Sequence, residues 1–319
     1  MEEVIIIGHK NPDTDSVVSA IALAYLKNSI EKAERLPASP DPSCCHNRFV
    51  AARCGEVNEE TALALSKANV EEPKLIENVE GKSVILVDHN EFSQAANGIE
   101  KAKILGIVDH HKINFSYPEP IYCHVEPLGS TSTIIAEMFF NSGIEMKREI
   151  ALLLLAGILS DTVVFKSSTA TEKDREIAEK LAAIAGIESM ENFGIELKRA
   201  KASVRHLSAR EILEKDFKEY EFGAAKVGIA QIEIVDFAEV NERREEILKE
   251  METMLKERNY ALLLLMVTNI IKGDTDLWCV GDVERVERAF NRRVENHSVY
   301  LEGVMSRKKD VVPKIQAVF

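Results

Sequence analysis

Short apolar runs alternate with amphipathic stretches through the first half of the chain. Residues 4–7, 83–87 and 104–108 have the length and composition of buried strands, and residues 48–53 are a further candidate strand. Apolar positions at helical spacing predict helices at residues 16–28, 58–68, 95–102, 131–141, 147–159 and 172–185. Strands that alternate with helices predict an α/β fold on a parallel sheet.

The second half of the chain has a different pattern. Strands are predicted at residues 225–235, 260–271 and 277–280, and helices at residues 191–202, 209–214, 237–257 and 283–290. Residues 203–208 are rich in helix-capping side chains and read as a break. We therefore predict an N-terminal domain at 1–195, a linker at 196–204 and a smaller, mixed-sheet α/β domain at 205–319.

Length, charge and cysteine content narrow the class of protein. The 319 residues exceed what most single cores hold, which favours two domains. A net charge of −13 weighs against a nucleic-acid partner, since such proteins usually present a basic face. The apolar run at 150–159 is too short to span a bilayer, and the chain enters a strand almost at once, so we expect neither membrane span nor signal peptide. Five cysteines without metal-type spacing favour free thiols and a cytoplasmic location.

Residues 37–47 form a proline-rich segment without periodicity, which predicts an irregular surface insertion. The segment contains Cys44, Cys45 and His46. Adjacent cysteines chelate one ion poorly, and no second Cys/His pair has the spacing of a zinc finger. We therefore interpret this segment as a loop that affects packing or an oligomer contact, and not as a metal site.

The first strand is followed by a turn crowded with polar groups. The sequence Gly8-His9-Lys10-Asn11-Pro12-Asp13-Thr14-Asp15-Ser16 leads from the strand into the first helix. Pro12 restricts its neighbour and favours an extended Asn11. If residues 13–15 are extended too, the carboxylates of Asp13 and Asp15 point the same way, because extended side chains repeat every two residues. With His9 just upstream, the turn resembles a metal site in outline.

Other elements of the first half also end in carboxylates or imidazoles. These residues are Asp88 after the strand at 83–87, Asp109, His110 and His111 after the strand at 104–108, and Asp161 after the apolar run at 150–159. Ligands of open parallel sheets bind at the carboxyl ends of the strands, so the fold brings these groups to one edge. Like charges ~4 Å apart cost on the order of 4 kcal/mol per pair at an effective dielectric constant of about 20. Two divalent metals would remove that repulsion, and mixed His/Asp ligation suits manganese, iron, cobalt or zinc better than magnesium or calcium.

Basic residues in the second half could supply the positive charge that a site for phosphoryl chemistry needs in addition to metals. The candidates are Lys218, Arg307, Lys308 and Lys309, the last three in a basic run that follows Gly303 near the end of the chain. Such a run is usually a solvated tail. In an acidic protein with two metals, however, cationic side chains are needed to stabilise a leaving phosphate.

Six motifs together resemble a known family. In chain order they read GHKNPDTDS, LVDHNE, VDHHKINF, LSDTVVFKSST, EILEKDFKEY and GVMSRKKDVVP. They are similar to the motifs of the family II, manganese-dependent inorganic pyrophosphatases of the DHH phosphoesterase superfamily, and they extend over nearly the whole chain. The first four occur in looser form across the superfamily, whereas the SRKK motif and the lysine of DFK are specific to the pyrophosphatase branch. No interval between motifs has room for the regulatory CBS insertion of some members.

The resemblance implies a role for each candidate residue. His9 and Asp13 would bind one metal, Asp15 and His110 the other, and Asp88 and Asp161 would bridge both. Asp109 would orient an imidazole, and His111 would hydrogen-bond the oxygen between the two phosphorus atoms. The substrate would be held by Lys218, Arg307 and Lys308 of the second domain, which closes over the metal site. The metals would be Mn²⁺, with Co²⁺ as the second choice, and Mg²⁺ could accompany the substrate.

The function that follows is hydrolysis of inorganic pyrophosphate to two orthophosphates by a metal-bridging hydroxide, in a cytoplasmic homodimer without a nucleic-acid or membrane partner. The nearest alternative is another DHH phosphoesterase, either an exopolyphosphatase or an enzyme acting on small oligonucleotides or adenosine bisphosphate. That nuclease branch usually carries a GGGH-type motif, and this sequence has SRKK instead. A non-catalytic metal or anion sensor is the alternative from another class, and retention of Asp88, Asp161 and His111 argues against it.

Overall fold

The computed structural model describes residues 2–34, 47–202, 204–205 and 207–319. The chain divides into two compact units, Met1–Lys201 and Ala202–Phe319. The sequence-predicted insertion at 37–47 lies, except for Asn47, outside the described residues, and so do Cys44, Cys45 and His46. Within the described ranges, no helix combines the length and the apolar character that a membrane crossing requires.

The first unit is built on a parallel sheet. Its strands are β1 (Glu2–Lys10), β2 (Asn47–Cys54), β3 (Lys74–Leu75), β4 (Ser83–Val87), β5 (Lys103–Asp109) and β6 (Tyr122–Val125). In the part of the chain that is described, their order is β3-β2-β1-β4-β5-β6, and every neighbouring pair runs parallel. The prediction of a parallel α/β sheet is confirmed.

The order of the strands reverses between β1 and β4. From β1 the chain proceeds outward to β2 and β3, and it then returns to the other side of β1 for β4, β5 and β6. Connections from the two halves therefore leave the sheet in opposite directions and open a crevice at the carboxyl ends of β1 and β4. His9 and Asp88 lie at these two ends.

Apolar side chains on both faces of the sheet explain the continuous apolar runs of its central strands. The helices of this unit are α1 (Thr14–Glu34), α2 (Glu59–Ala68), α3 (Thr131–Ser142), α4 (Arg148–Asp161), α5 (Glu172–Ala185) and α6 (Met190–Ala202). Val4 and Ile6 of β1 pack in one core cluster with α1, α3, α4 and α5. Ile5 and Ile7 pack in a second cluster with Ala95, Ala96 and other residues between β4 and β6. Because successive residues of a strand face opposite sides, β1 is buried on both.

The second unit has a smaller sheet of mixed direction. Its strands are β7 (Phe217–Phe222), β8 (Ala225–Ile234), β9 (Leu262–Asn269), β10 (Asp274–Gly281) and β11 (Ser298–Leu301). Their order among the described residues is β11-β10-β9-β8-β7, with β8 and β9 parallel and the other pairs antiparallel. The helices are α7 (Ala209–Glu214), α8 (Phe237–Asn241), α9 (Arg244–Glu257), α10 (Val283–Phe290) and α11 (Val312–Gln316). The predicted mixed-sheet domain is confirmed.

Several local predictions are wrong. The helix expected at 95–102 is only a 3₁₀ turn at Ile99–Lys101, because Gly98 before it has a left-handed φ of 76°. The single helix expected at 237–257 is two, α8 and α9, with Arg243 between them; its guanidinium donates to the carbonyls of Val204 and Leu207. No secondary structure was predicted for the basic run near the C-terminus, which forms a π-helical turn at Arg307–Val311 that leads into α11. Four short strands, β3, β6, β7 and β11, were not predicted, since they are largely exposed or alternate irregularly between buried and exposed residues.

Candidate metal centre

The turn from β1 to α1 differs from its predicted conformation. Asn11 has a left-handed φ of 53°, which asparagine tolerates better than most residues. Helix α1 already begins at Thr14, so residues 13–15 are not extended. The Ser16 N–H donates to Asp13 Oδ1 at 3.0 Å, which fixes Asp13 at the start of the helix. The expectation that Asp13 and Asp15 point the same way because of extended backbone is therefore wrong.

His9 presents one nitrogen to two carboxylates. Its Nδ1 lies 2.8 Å from the Lys10 carbonyl oxygen, so Nδ1–H donates to that carbonyl. Nε2 lies 3.5 Å from Asp13 Oδ2 and 3.6 Å from Asp88 Oδ2. A histidine whose Nδ1 is held by a backbone carbonyl has its Nε2 lone pair free to bind a metal.

Asp88 occupies the centre of the arrangement. It follows β4 with a left-handed φ of 61°, which is uncommon outside glycine and is best tolerated by Asn and Asp. Oδ1 accepts a hydrogen bond from Thr131 Oγ1 at 2.9 Å. Oδ2 is buried and has no hydrogen-bond partner among the described residues. A buried carboxylate oxygen without a partner is costly unless a cation occupies the space it faces.

His110 repeats the arrangement of His9 at the next strand. Its Nδ1–H donates to the Leu128 carbonyl oxygen at 2.9 Å. Nε2 lies 3.4 Å from Asp88 Oδ1 and 3.5 Å from Asp161 Oδ2. This Nε2 atom is also buried without a hydrogen bond in the described part of the chain. Asp161, the last residue of α4, thus reaches the carboxyl end of the sheet from a helix.

Asp15 is held by the first turn of α3. Its two oxygens accept hydrogen bonds from the backbone N–H groups of Thr131 at 2.7 Å and Ser132 at 3.0 Å, and from the hydroxyls of Ser130 at 2.8 Å and Ser132. Partial positive charge at a helix N-terminus favours a carboxylate there. None of these three residues was predicted to contact the site, although a Ser-Thr-Ser run before an apolar helix is a capping signal.

A glycine allows α4 to approach Asp15 closely. A Cβ atom at Gly157 would lie 2.2 Å from Ser132 Oγ and 2.7 Å from Asp15 Oδ1. Any larger side chain would therefore push α4 away from α3 and from the buried carboxylate. The packing of α4 that brings Asp161 to the site depends on this position.

These contacts produce overlapping groups of ligand atoms, each group within 4.8 Å. The groups are His9, Asp13 and Asp88; Asp15, Asp88, His110 and Asp161; and Asp88, His110 and His111. Asp88 is common to all of them. The structure thus brings together every residue predicted to bind a metal, and it divides them into a His9 group and a His110 group. Nitrogen and oxygen donors in such groups suit divalent transition metals.

The electrostatics of the site reflect an excess of carboxylates. Burial raises the pKa of Asp15 to about 7, and the charge of Asp88 contributes to the rise. Burial and the charges of Asp15 and Asp88 raise the pKa of Asp161 well above its usual value. Burial also tends to raise the pKa of Asp88, but the neighbouring imidazoles of His110 and His9 outweigh it and hold the pKa of Asp88 below its usual range. Without cations, protons must neutralise part of this cluster.

The pKa values of His9 and His110 are raised, although burial alone would lower them. Burial disfavours the charged imidazole of His9, but Asp13 and Asp88 raise its pKa to about 11. His110 likewise loses solvation, and Asp88 and Asp15 raise its pKa to about 9. Metal binding requires both rings to be neutral, so cations that bind between these residues must displace protons.

His111 lies at the margin of the cluster with Asp109 behind it. Nδ1 of His111 is 2.9 Å from Asp109 Oδ1, and the same oxygen accepts the backbone N–H groups of His110 and His111. Asp109 is fully buried, whereas the side chain of His111 is 53 % exposed. The imidazole is thus oriented from one side and open to solvent on the other.

The predicted substrate-binding residues belong to the second unit, where two of them are related through one position of β8, Ile229. Arg307 Nη1 donates to the carbonyls of Asp216 and Ile229, and Nη2 lies 2.7 Å from Asp216 Oδ1. Lys218 in β7 pairs with Ile229 of β8, so it lies beside the strand position that Arg307 contacts. Lys308 is exposed in the π-helical turn, and so is Lys309.

Models of two protein families match the chain. The DHH family, N-terminal domain, matches residues 3–158, and the DHHA2 domain matches residues 195–318. The chain is 44 % identical to the manganese-dependent inorganic pyrophosphatase of Methanocaldococcus jannaschii, over 98 % of each chain. It is 40 % identical to the manganese-dependent inorganic pyrophosphatase of Bacillus subtilis, over 98 % of this chain and 97 % of that protein.

A solved structure is similar over the same extent. It is a crystal structure from Methanococcus jannaschii, described as that of a family II inorganic pyrophosphatase. The TM-score is 0.63 at 43 % sequence identity, and the match covers 99 % of each chain. Identity of this degree over whole chains establishes a common family.

Proposed function

We propose that this chain, which belongs to the family of manganese-dependent inorganic pyrophosphatases, hydrolyses inorganic pyrophosphate to two orthophosphates at the carboxyl edge of its first sheet. The observation that carries the proposal is the convergence of His9, Asp13, Asp15, Asp88, His110 and Asp161 around unpaired, buried ligand atoms. A structural role for these residues would leave Asp88 Oδ2 and His110 Nε2 without a reason to be buried.

The ligands divide between two cations in the proposal. His9 and Asp13 would hold one cation, Asp15 and His110 would hold the other, and Asp88 and Asp161 would be shared between them. The groups of ligand atoms support this division in part: His9 and Asp13 occur in one group, Asp15 and His110 occur in another, and both contain Asp88. The shared role of Asp161, which occurs only in the His110 group, rests on the family resemblance. Mn²⁺ is the first choice for both cations and Co²⁺ the second, and Mg²⁺ would accompany the substrate. When bound, they supply Lewis acidity and lower the pKa of a water nucleophile.

His111 is proposed to donate a hydrogen bond to the oxygen that leaves when the P–O–P link is cleaved. Its Nδ1 is engaged by Asp109, so Nε2 is the nitrogen that can reach the substrate. The hydrogen bond to Asp109 raises the pKa of His111, while burial works against it. A raised pKa favours the protonated ring, which is suited to stabilise charge on a leaving oxygen.

The second domain is proposed to supply the positive charge. Arg307 and Lys308 bind phosphate oxygens, and Lys218 lies beside the strand position that Arg307 contacts. Guanidinium and ammonium groups neutralise a leaving phosphate, and closure of the two domains on the substrate would exclude water. In this proposal the N-terminal domain at 1–195 holds the metals, the linker at 196–204 connects the two domains, and the C-terminal domain at 205–319 holds the substrate.

We further propose a cytoplasmic homodimer without a nucleic-acid or membrane partner. The exposed thiol of Cys123 and the buried thiols of Cys54 and Cys279 are free, as expected in a reducing compartment. The net charge of −13 opposes binding to nucleic acids and anionic membranes. Size-exclusion chromatography with light scattering measures the oligomeric state, and a monomer at micromolar concentration would contradict the dimer.

A panel of substrates tests the function. The Mn²⁺-loaded protein is assayed for phosphate release from pyrophosphate, long-chain polyphosphate, adenosine bisphosphate and a dinucleotide. We expect pyrophosphate to have the highest kcat/KM. Faster cleavage of the dinucleotide or of polyphosphate would assign the chain to another class of DHH phosphoesterase, and no release from any of them would indicate a sensor.

The variant His111→Gln tests the role of the leaving-group histidine. Glutamine can still donate a hydrogen bond but cannot transfer a proton to the leaving oxygen. We therefore expect kcat to fall by about 10²–10⁴-fold while the affinity for Mn²⁺ is nearly unchanged. Isothermal titration with Mn²⁺ and steady-state kinetics separate the two quantities. Equal losses in both would make His111 a metal ligand.

A further inference from the structure

Asn90 is a buried amide that no step of the proposed reaction uses. It lies two residues after Asp88, and its side chain is 2 % exposed. Its Nδ2 donates to Asp109 Oδ2 at 2.7 Å and to the Lys112 carbonyl oxygen at 2.9 Å. Its Oδ1 accepts the backbone N–H of Asn114 at 2.7 Å. Both donors and the acceptor are therefore used.

The partners fix which way the amide faces. Two of them, a carboxylate and a carbonyl, only accept hydrogen bonds, and the third is an N–H that only donates. A rotated amide would place oxygen against oxygen and N–H against N–H, so a single orientation satisfies the network. Asn90 is thus a rigid connection between the end of β4 and the loop that follows β5.

That loop carries His111, and Asp109 lies between His111 and Asn90. The two oxygens of Asp109 have separate tasks: Oδ1 faces His111 Nδ1 and the backbone, and Oδ2 faces Asn90. Rotation of the carboxylate would break both contacts at once. The His111 side chain is half exposed, so its hydrogen bond to Asp109 is the main contact that fixes the ring.

We propose that Asn90 is a positioning residue for His111: through Asp109 and the loop 110–114 it holds the imidazole in one orientation with hydrogen on Nδ1, so that Nε2 is the nitrogen that takes up a proton and donates it to the leaving oxygen. The inference rests on the proposed function, because it assigns to His111 the role given above. Burial tends to raise the pKa of Asp109, but hydrogen bonds from His111 and from the Asn90 amide outweigh it and hold that pKa below its usual value. An ionised Asp109 is the better acceptor for the imidazole N–H.

A merely structural role makes a different prediction, because Asn90 also joins two loops. Asn28 offers a matched control in the same unit. Its Nδ2 donates to the Phe49 carbonyl oxygen at 2.7 Å and its Oδ1 accepts the Phe49 N–H at 3.0 Å, far along α1 from the metal ligands. Asn28→Ala should lower stability and leave kcat unchanged.

A double-mutant cycle separates the two roles. In the wild-type background we expect Asn90→Ala to lower kcat by about 10–100-fold, the range for residues that orient a reactive side chain through another. Its KM and Mn²⁺ affinity should change less than about 3-fold. In the His111→Gln background the same substitution should lower kcat less than about 3-fold, because its effect passes through His111. An equal fall in both backgrounds would overturn the proposal.

A second variant and a second readout keep the test decisive. Asn90→Asp keeps the size and the acceptor for Asn114 but sets a carboxyl against Asp109, so it should reproduce the kinetic pattern if Asn90→Ala does not fold. Histidine-ring ¹⁵N spectra of the magnesium-loaded protein, recorded above the ring pKa, should show a single Nδ1–H tautomer for His111 in the wild type and in Asn28→Ala. The spectra should show both tautomers in the Asn90 variants, and an unchanged tautomer would contradict the proposal.

The same experiment distinguishes the two levels of inference. Wild-type protein that releases no phosphate from pyrophosphate would contradict the proposed function. The ring spectra do not depend on turnover, so they would still decide whether Asn90 orients His111.

Discussion

The acidic cluster of the first unit and the basic cluster of the second are held in place by different means. Asp15, Asp88 and Asp109 are almost fully buried, and their oxygens, except for Asp88 Oδ2, accept hydrogen bonds from backbone N–H groups, hydroxyls and an amide. By contrast, Lys218 and Lys308 are exposed, and only Arg307, whose side chain is 13 % exposed, is held by an ionic partner, Asp216. The buried carboxylates are therefore oriented by the protein itself, whereas the two exposed lysines can still adjust to a ligand.

The largest effect on metal content and kcat should come from Asp88, the carboxylate that all groups of ligand atoms share. Asp88→Asn keeps a residue that tolerates the left-handed φ of this position but removes the charge between His9 and His110. We expect loss of at least one bound Mn²⁺ and a fall in kcat on the order of 10³-fold or more, beyond the 10–100-fold typical of residues behind the ligands. Metal content by elemental analysis and phosphate release measure both.

Asp174→Asn is the matched control for that variant. Asp174 is equally buried and accepts hydrogen bonds from Gly129, Thr133 and Thr171, but it belongs to none of the ligand groups. Its loss should lower the melting temperature and leave the metal content unchanged. If both variants keep their metals, the rigid cluster is not the metal site.

The next effect concerns the basic cluster. Arg307→Ala should lower kcat/KM for pyrophosphate by about 100-fold, which corresponds to about 2.7 kcal/mol, because a charge-assisted contact to phosphate is lost. The Mn²⁺ affinity should not change, since the residue lies in the other unit. The exposed Lys309 provides the control, and Lys309→Ala should retain nearly full activity. Loss of metal in Arg307→Ala would remove the distinction between the clusters.

A smaller effect should appear in the pH dependence of the metal-free protein. The folded-state pKa values of His9 and His110, about 11 and about 9, exceed the value near 6.5 of an unfolded histidine. Their contribution to stability is therefore fully present below pH 6.5 and is lost as the pH rises through 9 and 11. Asp15 has the same sign, since its pKa of about 7 exceeds 3.8 and its contribution is lost as the pH rises through 7.

Thermal unfolding with Mn²⁺ and with a chelator checks this expectation. Bound cations replace the protons, so the difference in melting temperature between the two forms should widen from pH 6 to pH 9. The difference should be much reduced in Asp88→Asn. A difference that narrows with rising pH would show that protonation of these histidines does not compete with the metal.

The smallest effects should come from helix caps that lie away from both clusters. The Asn58 side chain accepts the Thr61 N–H at the start of α2, and Ser208 forms a capping box with Glu211 at the start of α7. Substituting either by Ala should cost about 1 kcal/mol. Calorimetry that resolves separate transitions should assign the first loss to one unit and the second to the other. Loss of activity would mean that the caps are not independent of the site.

The sheet of the first unit and the convergence of its candidate ligands could be predicted because they obey a local rule. Apolar strands followed at once by Asp or His mark β1, β4 and β5, and the topology of a parallel sheet brings these ends together without any long-range information. Asp161 was found by the same rule, although the apolar run before it is a helix and not a strand. The orientation of Asp15 by α3 could not be predicted, because it depends on the contact of two helices more than 100 residues apart in the sequence.

Details of the backbone were the least predictable part. Pro12 argued for an extended Asn11, yet the turn adopts left-handed φ because hydrogen bonding around Asp13 and packing of Gly8 against Ser16 decide its conformation. The conformation of the basic run at 307–309 could not be predicted either, since Asp216 and Ile229, which hold Arg307, lie about 80–90 residues earlier in the chain. Tertiary contacts overrode local preference in both places.

The central place of β1 in the sheet also sets an order of assembly during synthesis. β1 leaves the ribosome before its two partners; β2 can pair with one of its edges early, but β4, which covers the other edge, begins only at Ser83. A nascent chain released before β4 has been made would therefore expose an unpaired edge of β1. The proposed ligand set is complete only when α4 has been made through Asp161, so a chain that has emerged through α6 could bind cations while the second unit is still being translated.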